Sequence, residues 1–349
     1  MKQTFVLTTA VVVLAVAIPL GMLVESKIKA SAVPQKAPET QTGDYRLSGP
    51  YTHKNLTIFL VHGRDLVKGK IPLTLQEALA QRKVVVYETQ DVNELAIENR
   101  SNEDVYVQSG DIVKGGQQDR MLAVDLIVPP HSGKLPIAAF CVESGRWTRR
   151  GSEQAASFSS SENVAATKEI KLAAKRSNSQ GDVWKNVTVA QDKLSENVGT
   201  RVNSTVSSSS LELAVENRQV QQNTESYIKA LSGIVNGNDV IGYVFAINGA
   251  INSADVYASS GLFKKLWPKL LKANTIEAIA ELQKDKRFEP TTADHVKSFL
   301  AEVPKSSAAE KEVTARVNLF TTEDERNIFF ETRDRAQKGA WIHRNYIRK

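Results

Sequence analysis

The sequence holds one cysteine in 349 residues, so no disulfide framework can form within the chain. It holds five histidines, His53, His62, His131, His295 and His343, and none stands at metal-ligand spacing from another. Scattered in this way, they read as surface residues, and no metal site is expected. Neither G-x-S-x-G nor H-E-x-x-H is present. The nearest approach to a phosphate loop, Gly63 to Gly69-Lys70, is one residue too long and continues in Ile71 instead of Ser or Thr. His62-Gly63 after a strand has the form of a serine-hydrolase oxyanion loop, yet lacks the elbow serine that would give it meaning. A strong excess of one charge is also missing. The balance of 45 Lys+Arg against 39 Asp+Glu is +6, too thin over this length for a nucleic-acid footprint. With 41% hydrophobic and 24% charged residues, the chain is neither wholly disordered nor a polytopic membrane protein. No cofactor is indicated.

What the chain does have begins at its amino terminus. Residues 3–24 carry no charge, Lys2 precedes them, and Ala30-Ser31-Ala32 supplies an A-x-A site. This is the order of an export leader, and an uncleaved anchor is the competing reading. Pro19 and Gly21 break the apolar run near its end, which favours a leader. Either way the expected location is extracytoplasmic, secreted or periplasmic or anchored by this segment. Residues 33–44 then read as a flexible tether.

Strands are expected at Leu56–Val61, Val84–Tyr87 and Leu95–Glu98, with a short helix at 73–80 capped by Thr74 and Glu77. Three longer strands follow at Val105–Val113, Arg120–Val128 and Leu135–Glu143. Their connectors KGGQQD and PPHSGK are turn-forming, so the three make an antiparallel meander. Cys141 lies in the apolar run 137–142 and reads as a core residue. Residues 151–210 are Ser-rich and read as an exposed excursion with a short helical pattern at Ala190–Val198. A helix is expected at Leu211–Leu231, a buried strand at Asp239–Ile247, and a helix from Pro268 in its first turn to Lys284. A short helix near Asp294–Val303 and strands at Val313–Phe320 and Asn327–Glu331 end the chain. The class is α+β: a meander-based antiparallel sheet in the first half with helices packed from the second. The principal domain is 45–290, and 291–349 is an extension.

The meander carries the polar pattern. With Lys114–Gln117 as a four-residue turn, Asp111 faces Arg120; with 129–134 as the next loop, Arg120 faces Glu143. Asp111, Arg120 and Glu143 would then form one row beside Gly115-Gly116, with Arg146 and Trp147 at the same end. Such a row is either a cross-strand salt bridge, worth at most about 1 kcal/mol, or an acid–base pair split by a shared cation near anion-holding glycine amides.

The stretch SGDIVKGGQQDRMLAVDLIVPPHSGKLPIAAFCVESGRW resembles the ARG and rhodanese-phosphatase-superfamily-associated domain family. The matching motifs are Asp111, then Gly115, Gly116, Gln117 or Gln118, and Arg120, then Cys141, Val142, Glu143, Gly145, Arg146 and Trp147. Likeness extends over Leu75–Leu79, Val183-Trp184, and Gly242 to Asn248-Gly249 with Asp255, about residues 45 to 285. It implies a polar site on this domain and no particular reaction. Three functions follow as expectations. The first is a cell-envelope module binding a polar or anionic small ligand at Gly115, Gly116, Gln117, Gln118 and Trp147, with Glu143 and Arg146. The second is a metal-independent hydrolase with Asp111 and Glu143 as acid and base and Arg120 or Arg146 holding an anion. The third is an interaction domain with only a salt bridge. The tail from Arg333 is basic with Trp341 and Tyr346 interleaved; it reads as a solvated strand, or as a contact for anionic envelope polymers or lipid head groups.

Overall fold

β-Branched and aromatic runs separated by Gly, Asn and Pro make the first half of the chain strand-rich. The computed structural model describes residues 40–42, 45–67, 69–146, 158–165, 167–306 and 308–349. The leader, most of the expected tether and Trp147 lie outside the described residues. The chain enters through β1 (Thr40–Thr42), which pairs with β2 (Tyr45–His53) inside the stretch read as tether. β3 (Leu56–His62) is buried from end to end. β4 (Leu73–Thr74) leads into α1 (Leu75–Ala80), where Glu77 N–H donates to Thr74 Oγ1 at 3.2 Å and Thr74 N–H donates to the Glu77 carboxylate at 2.8 Å. This is the capping box that the spacing predicts.

β5 (Val84–Glu88), β6 (Glu94–Asn99), β7 (Val105–Val107), β8 (Asp111–Gly115), β9 (Arg120–Leu122), β10 (Leu126–Val128) and β11 (Lys134–Cys141) follow. Two of the three long strands expected here are thus each broken in two. Gly110 adopts φ +94°, a conformation open to glycine, and its N–H donates to Leu122 O at 2.8 Å. Ser109 N–H donates to the Asp125 carboxylate at 2.7 Å, so the breaks in the two strands hold each other. β8 and β9 continue the meander with β11 in a six-stranded sheet ordered β12-β8-β9-β11-β6-β5, where β12 is Phe158–Val164. β7 and β10 leave it for a small sheet ordered β10-β7-β4, whose β4–β7 pairing is parallel.

The Ser-rich segment is not an excursion over its second half. It folds into α2 (Lys168–Lys175) and α3 (Gln180–Val198), and α3 buries Val183, Val187, Ala190 and Leu194 at helical spacing. Ser179 caps its start and Gly199, at φ +76°, ends it. The expected helix at 211–231 is two, α4 (Leu211–Val215) and α5 (Arg218–Leu231), because Asn217 caps a new start. β13 (Val240–Ile247) and β14 (Ala250–Tyr257) form a hairpin over Asn248-Gly249. α6 (Ser260–Ala280) starts eight residues before Pro268, at the Ser259 cap, so the proline is interior instead of in the first turn. A proline there costs about 3 kcal/mol. Burial of Leu262, Phe263, Leu266 and Trp267 offsets it, at roughly 1.5–3 kcal/mol for each such side chain. α7 (Ala293–Ala301), β15 (Ala309–Glu312), β16 (Val317–Glu323), β17 (Asn327–Asp334) and β18 (Ala340–Arg348) complete the fold.

The first three strands of the chain and the six of its second half build one nine-stranded antiparallel sheet, ordered β1-β2-β3-β13-β14-β18-β17-β16-β15. The tail read as a solvated strand is therefore β18, paired on both sides with β14 and β17. Its cations face acids: Arg344 and Arg333 bond Glu331, Arg335 bonds Glu312 and Lys349 bonds Glu323. One face of this sheet packs Leu56, Ile58, Leu60, Tyr243 and Phe245 into the main core with α5, α6 and the smaller sheets. The other packs Leu47, Phe59, Val61 and Val244 against Val296 and Phe299 of α7. The class is α+β, as the pattern indicated.

Candidate functional site

The polar residues of the meander come together in a register two residues from the expected one. Arg120 stands between Val113 on β8 and Cys141 on β11, and Asp111 pairs with Val164 on β12. The row of Asp111, Arg120 and Glu143 does not form. A two-residue shift keeps each side chain on its face but changes every partner. Asp111 accepts from Lys269 Nζ of α6 at 2.8 Å and from Gln108 N–H at 3.0 Å. Arg120 is fully buried; its Nη1 donates to Gln118 O at 2.9 Å, and its Nη2 lies 3.5 Å from Glu88 of β5.

Glu143 is the hub. Just past β11 and fully buried, its Oε1 accepts from Asp119 N–H at 2.9 Å and from Arg146 Nε at 2.9 Å, with Arg146 Nη2 also in contact. Its Oε2 accepts from Ser207 Oγ at 2.9 Å. Its main-chain carbonyl accepts from Trp184 Nε1 at 2.9 Å and Gln118 Nε2 at 3.2 Å. Burial pushes the Glu143 carboxyl up, but the Arg146 and Asp119 donors and the Ser207 hydroxyl outweigh it and hold the group below its ordinary value. The glycine turn supports this hub from behind. Gly115 N–H donates to Asp119 Oδ1 at 3.1 Å, and Gln117 N–H to Glu88 Oε2 at 3.2 Å. Gly116 sits at φ +58°, where a Cβ would lie 2.3 Å from Phe158 Cζ and 2.8 Å from Glu88 Oε2. Both glycines are buried, so the turn is a strut and not a ligand cradle.

In front of the hub a cleft of about 650 Å³ opens between residues 144–146 and residues 201 and 203–209. Ser209 fastens the two sides: its Oγ donates to Ser144 O at 2.6 Å and accepts from Ser144 N–H at 3.0 Å. Arg146, its side chain 10% exposed, and the exposed Arg201 supply positive charge, and no carboxylate is among the described lining residues. Of the residues singled out from sequence, Gly145 and Arg146 are among the described lining residues. Ser207, Ser209 and Arg201 were missed, and Trp184 was named only as part of the family likeness. The run Ser207–Ser210 was the available signal, since clustered hydroxyls cap and stitch backbone as well as fill loops. Cys141 is buried, and that burial pushes its thiol up to about 11, as a core residue requires.

A second polar cluster lies in the core. His343 Nδ1 is 3.1 Å from Asp125 and its Nε2 is 3.0 Å from Asp255, with Lys175 Nζ 3.6 Å from Asp125. Tyr257 stacks on the imidazole at 4.4 Å. His343 is thus a buried structural cation partner and not a surface residue. No group of acidic, His or Cys side chains among the described residues could hold a metal ion.

These elements define an α+β domain with a cationic, hydroxyl-lined cleft backed by a buried glutamate. The chain belongs to the family described as ARG and Rhodanese-Phosphatase-superfamily-associated Protein domain, which matches residues 44–347. The match takes in the tail, which the motif likeness had left out. No curated protein and no solved structure matches the chain.

Proposed function

We propose that this domain binds a small anionic ligand in the cleft between residues 144–146 and 203–209. The observation that carries the reading is Arg146, pinned by Glu143 from behind while its cleft also receives Arg201, with serine and asparagine side chains as further hydrogen-bonding groups. An acid–base pair draws no support from the geometry. Asp111 is engaged by Lys269, and both Glu143 oxygens are filled by donors. Calorimetric titration with phosphate, sulfate and dicarboxylates tests the proposal. Binding should weaken at least about tenfold, roughly 1.4 kcal/mol, in Arg201→Ala, whose exposed side chain leaves the melting midpoint in place. Absence of binding to every anion, or an unchanged affinity in Arg201→Ala, removes the reading.

We further infer that the protein works outside the cytoplasm, in the cell envelope. The support is the uncharged run at residues 3–24 followed by Ala30-Ser31-Ala32. Among the described residues no helix is long and apolar enough to cross a membrane. Intact mass of the protein recovered from its host distinguishes the cases: loss of residues 1–32 supports a cleaved leader, and an intact amino terminus in a soluble cytoplasmic fraction rejects export.

A further inference from the structure

Two sequence features that the first site does not use, His62-Gly63 and the tail residues Trp341 and Arg344, meet at one end of the nine-stranded sheet. They line a second cleft of about 620 Å³. Its charges are arranged unevenly. Arg46 is bonded to Asp239, and Arg344 donates from Nε to Glu331 at 2.7 Å and from Nη1 to Tyr45 OH at 3.0 Å. Arg64 is exposed and forms no ion pair among the described residues, so the cleft keeps an uncompensated cation. Its lining also holds His62 and the carboxylate of Asp239, which is paired with Arg46, and an apolar and aromatic part made of Tyr45, Leu66, Ile241 and Trp341, with the Arg344 guanidinium lying over the Trp341 ring at 4.4 Å. Leu66 is 44% exposed. A pocket that pairs a cation with flat apolar walls suits a ligand with a ring at one end and an acid at the other.

The histidine in the wall is rigid. His62 Nε2 is 2.7 Å from Ser48 Oγ, and Nδ1 is 3.1 Å from Asp239 Oδ1. The order is that of a hydrolytic triad, but exposure runs the wrong way for one. The Asp239 side chain is 44% exposed and that of His62 10%, whereas Ser48 is 5% exposed and is not a lining residue. Ser48 and Asp239 therefore hold the imidazole as a fixed wall.

We propose that this cleft binds a small aromatic anion, its phosphate or carboxylate on Arg64 and its ring against Tyr45 and Trp341. Phenyl phosphate is the probe, titrated into the full-length protein while tryptophan fluorescence and heat are recorded, with inorganic phosphate and phenol as separate arms. The expected result is a saturable quench by phenyl phosphate and a quench with a midpoint at least tenfold higher for either fragment. Arg64→Ala should weaken phenyl phosphate at least tenfold. Trp341→Phe should remove the quench while calorimetry still detects binding. Arg201→Ala, which acts on the first cleft, should leave the quench unchanged, so failure of one site is distinguishable from failure of the other. An equal quench by phosphate and phenyl phosphate, a quench that survives in Trp341→Phe, or a quench of unchanged midpoint in Arg64→Ala overturns the proposal, as does the absence of saturation.

Discussion

Arg146 turns back three residues to donate through Nε to Glu143 Oε1 at 2.9 Å, so the cation of the cleft and the carboxylate behind it form one unit. Glu143→Ala removes the carboxylate that accepts from Arg146, Asp119 N–H and Ser207. The expected loss is on the order of 3 kcal/mol in chemical denaturation, with Glu143→Gln retaining part of it. Because the folded carboxyl lies below its ordinary value, this stabilisation is present above the unfolded value near 4.5 and disappears as pH falls through the folded one. A Glu143→Ala variant within about 0.5 kcal/mol of the wild type would mean that the hub is not structural.

His343 behaves in the opposite sense. Burial alone would push its pKa down, but the charges and hydrogen bonds of Asp125 and Asp255 raise it above 6.5. Its contribution to stability is therefore full below that value and lost as pH rises through the folded pKa. His343→Gln should lose most relative to wild type near about pH 6 and less near about pH 9, read from urea midpoints at each pH. A penalty that does not change with pH contradicts a protonated His343.

Glu277 of α6 titrates the other way from Glu143. Burial, together with the nearby charge of Glu169, lifts its carboxyl from 4.5 to about 7. Folding then favours the protonated form, and wild-type stability falls as pH rises from 4.5 through about 7. Glu277→Gln should be more stable than wild type by on the order of 2 kcal/mol near about pH 8 and nearly equal to it near about pH 4. Thermal melts across that range decide it. A variant that gains nothing at the higher pH contradicts the shift.

Ser48 gives a negative prediction with a definite positive alternative. Its 2.7 Å contact with His62 invites the reading of a nucleophile, yet it sits at the inner end of the chain of contacts. Diisopropyl fluorophosphate should leave the protein unlabelled by intact mass. Labelling at Ser48 that disappears in His62→Ala would instead make the second cleft a hydrolytic site.

Local chemistry made two elements legible: the Thr74–Glu77 capping box and the β-branched run at Val84–Tyr87 each specify structure from adjacent residues. Contacts set by distant partners were not legible. Gly110 is only permissive by itself, and its strand breaks because Asp125 and Leu122 receive Ser109 and Gly110 N–H groups. Pro268 punctuates by rule, and the apolar face from Leu262 to Trp267 overrides the rule. At the site, Glu143 was singled out through a register with Arg120 that does not form and through the segment Cys141–Trp147, which also carries Arg146. The further partners Trp184 and Ser207 are 41 and 64 residues from Glu143, a separation no local pattern encodes.

The place of β18 has a consequence for how the protein is made. It pairs with β14 and β17, so both stand as open edges until residues 340–348 leave the ribosome. The hairpin of β13 and β14 must wait through some eighty residues of synthesis with one side exposed to strangers. Nascent chains arrested before Ala340 are thus the species most prone to self-association.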